Sequence, residues 1–165
     1  MIRGISRVVS ADQLEVGRFY LTSFGGDESF IIQCVENERA TEDRDRILAL
    51  YFDRINENRL FVGGFPGTNV FAELLPVAVR VDPPSFSGTQ FSTNLRKDLL
   101  IVAGNEPIAI AGTGRGWGWA AVNMFTGKIV NANELGAWVS FASWSLVYDD
   151  DEGEIEIISF GDDQE

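Results

Sequence analysis

Short apolar and aromatic runs, each halted by a turn tract, recur along this chain and leave little room for helical periodicity. Side chains alternate across a strand, so a run of about five residues buries one face and then must turn. Val77-Ala-Val-Arg-Val-Asp82 is the clearest case, with Val77, Val79 and Val81 inward and Arg80 and Asp82 outward. Arg18 to Phe24 stops at Gly25-Gly26-Asp27, and Ser29 to Val35 follows as a second strand. Ile47 to Phe52 is apolar on both faces and belongs to the interior; a strand is preferred there to a helix over Arg44 to Ile55.

Three hairpins are expected. Asn56 to Arg59 leads into Leu60-Phe-Val62, and Thr126-Gly127 joins Trp117–Phe125 to Lys128–Asn131. Asp149 to Gly153 joins Trp138–Tyr148 to Glu154–Phe160, with Ile155 and Ile157 on one face and Glu154 and Glu156 on the other. Ser10 to Gln13 suits a single capped turn, and Thr93 to Leu100 a short helix. No internal repeat is legible. The fold class is therefore mainly β, a barrel or sandwich of antiparallel strands and hairpins with one or two short helices; α+β is the alternative. One globular domain over residues 1–165 is expected, or two lobes (1–82 and 92–160) joined at 83–91 through Pro83-Pro84, with 161–165 as an acidic tail.

Charge is the second constraint. Nine of the 25 acidic residues, and none of the 13 Lys and Arg, fall in residues 149–165, so residues 1–148 carry only −3 of the net −12. That anionic pole repels nucleic acid and anionic lipid and attracts basic protein surfaces. The chain has no histidine, which removes Ser–His–Asp and Cys–His nucleophile systems, imidazole acid–base catalysis and His-ligated metals. Cys34 is the only cysteine, so no internal disulfide forms; with no apolar stretch suited to a signal peptide or membrane span, a cytoplasmic location is expected.

Several site patterns fail on spacing. Gly112 to Gly118 holds neither G-x-G-x-x-G nor a Walker-type loop, because Trp117 and Trp119 take the positions where the last glycine belongs. Asp149 to Glu154 resembles a calcium loop in composition alone: counting from Asp149, Glu154 stands where glycine is needed and Phe160 where glutamate is needed. No metal or cofactor is expected. Glu73 interrupts one apolar run and Asp53 ends another, so these are the carboxylates with a claim to desolvation, although a strand-edge or solvent-face position explains both more simply. Cys34 lies in an apolar strand without a basic neighbour, as a buried, inert thiol does.

Trp117 and Trp119 are expected on one strand face, and Trp138 and Trp144 on another. Exposed beside Arg115, the first pair would stack on a sugar or small ligand; buried, it is core. Residues 99–148 resemble the SUKH-type immunity superfamily in an apolar strand, a Gly-rich turn, an aromatic strand with Asn123, Thr126-Gly127-Lys128, and the segment Ser140 to Tyr148. That resemblance implies an inhibitor or immunity role and a helical start, from which the strand-rich first half departs. The leading expectation is a non-catalytic protein-binding domain, inhibitor or immunity-like, that meets a basic protein partner through Asp149, Asp150, Asp151, Glu152, Glu154 and Glu156. The alternatives are a carbohydrate- or small-ligand-binding module using Trp117, Trp119 and Arg115, and a β-rich virion or shell subunit.

Overall fold

The computed structural model describes residues 4–23, 29–52, 60–67, 70–89, 99–113 and 118–161, and these are mainly β, with short 3-10 turns in place of longer helices. The first seven strands are β1 (Ile5–Val9), β2 (Phe19–Ser23), β3 (Ser29–Glu36), β4 (Ile47–Phe52), β5 (Leu60–Gly63), β6 (Phe71–Leu74) and β7 (Val77–Val81). After a turn at Asp82–Ser85 come β8 (Phe86–Thr89), β9 (Leu100–Ala103), β10 (Glu106–Thr113), β11 (Trp119–Asn123), β12 (Lys128–Val130), β13 (Trp138–Phe141) and β14 (Trp144–Asp150). The last described strand is β15 (Gly153–Phe160).

Six strands close on themselves in the order β3, β4, β5, β10, β11, β12 and back to β3. Two of the joins, β5 to β10 and β12 to β3, are parallel; the rest are antiparallel. A barrel this narrow is filled by its own side chains. Val35, Leu50, Phe52, Leu60, Val62, Ala109, Ala111 and Val122 share one buried cluster inside it. Gly127 seals the β12–β3 join. Its φ is +75°, and a Cβ there would sit 2.4 Å from the Gly17 nitrogen, so only glycine lets the two backbones meet.

The pairing pattern repeats itself seven strands later. Outside the barrel, β3 continues through β2 and β6 to β1, and β10 continues through β9 and β13 to β8. The extra residue of a bulge recurs as well: Ser6 is the unpaired residue of β1, and Ser87 that of β8. Opposite those bulges lie the buried Glu73, paired with Arg7, and the buried Ser140, bonded to Ser87 at 3.0 Å. Two outer clusters match in the same way. Tyr20, Ile32, Cys34, Ala49 and Phe71 pack on one side of the barrel, and Ile101, Ile108, Ile110, Ala121 and Trp138 on the other. The chain is thus a pseudo-two-fold structure whose axis passes through the Val79–Leu146 pair, where β7 meets its own counterpart β14.

β7, β14 and β15 form a separate three-stranded sheet in the order β15-β14-β7. Its inner face lays Trp144, Leu146, Ile158 and Phe160, with Val77, Val79 and Val81, against the barrel cluster. The expected alternation on β15 holds as far as Ile157. A bulge there, between the Leu146–Ile158 and Val147–Glu156 pairs, resets the phase so that Ile158 and Phe160 also point inward. β15 breaks the symmetry, since β7 has no equivalent strand on its far side among the described residues.

Two expectations are corrected. Trp138 to Tyr148 is not one strand: the chain leaves the large sheet after Phe141 and enters the small one at Trp144, with Ala142 N–H bonded to the Ser85 carbonyl at 3.0 Å. Trp138 and Trp144 accordingly lie in different clusters instead of sharing a face. Leu100, expected at the end of a helix, opens β9, while residues 93–98 lie outside the described residues. No described helix is long and apolar enough to cross a membrane.

Candidate functional site

The acidic hairpin is the end of a core element. In β14 and β15, Asp150 faces Gly153, leaving Asp151 and Glu152 as a two-residue turn. Gly153 takes φ +121°, and the Glu152 N–H donates to Asp150 Oδ1 at 2.9 Å, which fixes the tip. Asp149 faces Glu154 and Val147 faces Glu156, so Asp149, Glu154 and Glu156 stand on the outer face of the small sheet. All three are exposed, as are Asp151 and Glu152; Asp150 is half-buried.

Like charges directly opposite in an antiparallel pair repel. Asp149 against Glu154 is such a pair, and one cation offsets part of the cost. Arg80 reaches from β7 across β14 to Glu156 at 2.6 Å and to Glu154. The Arg80 side chain is half-exposed, so these ion pairs are screened and each is worth at most about 1 kcal/mol. Asp149 pairs with no base among the described residues. Arg80 was placed outward by its alternation, but its partners depend on which strands flank β14, and no local pattern specifies that.

The second set of candidates is dispersed. Arg115 and Trp117 lie outside the described residues. Trp119 opens β11 with 49% exposure, whereas Trp144 is buried and stacks on Phe160 at 4.5 Å, and Trp138 is half-buried. Asp53 also lies outside the described residues. Glu73 is buried with its carboxylate 2.6 Å from Arg7 Nε and 3.9 Å from Arg18 Nε, while Arg7 also holds Glu15 at 2.7 Å. This cluster straps β1, β6 and the entry to β2 together, and its carboxylate is engaged by guanidiniums on both oxygens. Cys34 is fully buried, and desolvation, aided by the charge of Glu36, pushes its thiol up to about 11. Among the described residues no three acidic or thiol groups converge as a metal site requires.

Comparison of the chain with family models, with curated proteins and with solved structures gives no match.

Proposed function

We propose that this chain is a non-catalytic protein-binding domain that engages a basic surface of a partner protein through the outer face and tip of the β14–β15 hairpin. One observation carries the reading: five exposed carboxylates, of Asp149, Asp151, Glu152, Glu154 and Glu156, are displayed on a hairpin whose other face is anchored in the core. A solvated acidic tail needs no such anchoring, and a hairpin with no binding duty gains nothing from setting Asp149 opposite Glu154. Charge of this kind sets on-rate and partner choice, while apolar contact supplies the holding energy.

Deleting residues 149–165 is an unsuitable test, because it removes Ile158 and Phe160 from the core. Neutralising Asp149→Asn, Asp151→Asn and Glu152→Gln together leaves the core, the Asp150 turn bond and the Arg80 pairs in place. Affinity capture with the full chain should recover a basic partner that the triple variant loses. Equal recovery by both proteins would exclude the hairpin from binding.

A further inference from the structure

Four strands have a free edge among the described residues: β1, β8, β15 and β7. Free edges invite pairing with other chains, and a bulge is one device that blocks it. β1, β8 and β15 each carry a bulge, at Ser6, Ser87 and Ile157. β7 pairs with β14 in unbroken register from Val77 to Val81 and has none.

The pseudo-symmetry marks the same edge independently. Val77 and Val79 of β7 correspond to Trp144 and Leu146 of β14, which lie beside β15 and are buried. With no strand among the described residues in the matching place beside β7, Val77, Val79 and Val81 are only half-buried. The polar groups point the right way too. Asp82 N–H bonds to the Ser143 carbonyl at 3.1 Å, so Arg80 and Ala78, which share its phase, also bond toward β14. The N–H and C=O groups of Val77, Val79 and Val81 therefore face the open side.

We propose that the free edge of β7 takes up an extended segment of a basic protein, as a fourth strand of the small sheet, with apolar residues alternating with Lys or Arg. The apolar side chains would continue the valine face, and the cations would meet the outer face. Among the described residues that face carries Asp82, on β7 itself, and Asp149, Glu154 and Glu156, on the strands beyond it, against Arg80, which both glutamates already engage. A second copy of this chain would instead bring an identical acidic face and another net charge of −12. The basic character of the segment rests on the function proposed above; the open edge does not.

Amide exchange of the full chain, followed by NMR, tests this with a synthetic Val-Lys-Val-Lys-Val-Lys-Val amide and its Val/Glu counterpart. When nine-tenths of the chain is bound, the Val77, Val79 and Val81 amides should exchange roughly tenfold more slowly with the Val/Lys peptide, and not with the Val/Glu peptide. Val79→Pro, which removes one edge donor and no bond to β14, should abolish the protection. A Val/Lys peptide N-methylated at alternate residues should do so on the unaltered chain. Peptide effects confined to Asp149–Glu156, with β7 exchange unchanged, would overturn the edge and leave the acidic-face reading standing. Equal protection by both peptides would overturn the basic partner and leave the edge. Slow β7 exchange without peptide, in a chain that sediments as a dimer, would give the edge to a second copy and overturn the proposal.

Discussion

Phe160→Ala asks whether the acidic hairpin is part of the fold or an appendage to it. The ring is 2% exposed, stacks on Trp144 at 4.5 Å and lies 6.2 Å from Phe52, a barrel residue. Truncating a buried Phe costs about 3–5 kcal/mol from lost transfer energy and the cavity left behind. The two ring contacts place this site in the upper half of that range, since aromatic pairs add about 0.5–1.5 kcal/mol beyond area. Against a domain stability of about 5–15 kcal/mol, the loss is about a quarter or more, and Tm should fall by roughly 10 °C. Urea unfolding followed by tryptophan emission measures it. Glu154→Gln and Glu156→Gln on the same strand break only screened pairs and should each cost less than about 1 kcal/mol. A Phe160→Ala cost below about 1 kcal/mol, or one matched by the glutamate variants, would refute the anchoring of β15.

Two further outcomes follow from the barrel and its flanking cluster. Gly127→Ala forces a side chain into left-handed backbone and against the Gly17 nitrogen, so it should lower stability by at least about 2 kcal/mol in the same urea assay; a neutral result would show that β12 and β3 do not meet as described. Burial raises the Cys34 thiol from 9.0 to about 11 and the Tyr51 hydroxyl from 10.0 to about 12. The fold thus favours both neutral forms, and that stability is complete below pH 9 and lost as pH climbs through about 11 and 12. The urea midpoint should fall across that window, less steeply in Cys34→Ala, and a native thiol that reacts readily with a disulfide reagent at pH 8 would contradict the buried site.

Local features of the fold were legible because they depend on neighbours in sequence. The inward valines of β7, the hairpins around Thr126-Gly127 and Asp149–Gly153, and the strand over Ile47–Phe52 all follow from alternation and turn chemistry. Barrel closure was not legible. It depends on two parallel joins, each a few residues long, between segments far apart in the chain. Nor was the duplication, because few matching positions keep their identity: Ile32 and Ala49 recur as Ile108 and Ala121, but Cys34 corresponds to Ile110, Tyr20 to Ile101, and the buried Phe71 to the half-buried Trp138. Packing constrains volume and polarity, and shape-conserving exchange erases a repeat while preserving the fold. At the site, the acids and their outward face were legible. The position of Arg80 over Glu154 and Glu156 awaited the strand order β15-β14-β7.

The function proposed for this molecule is contact through an anchored acidic face. Its most direct measurement is the association rate of the chain with its captured partner between about 0.05 M and about 0.5 M salt. The rate should drop by roughly tenfold or more over that range, with a shallower slope for the Asp149→Asn, Asp151→Asn, Glu152→Gln variant. A rate indifferent to salt, or a slope unchanged by the three substitutions, would contradict it.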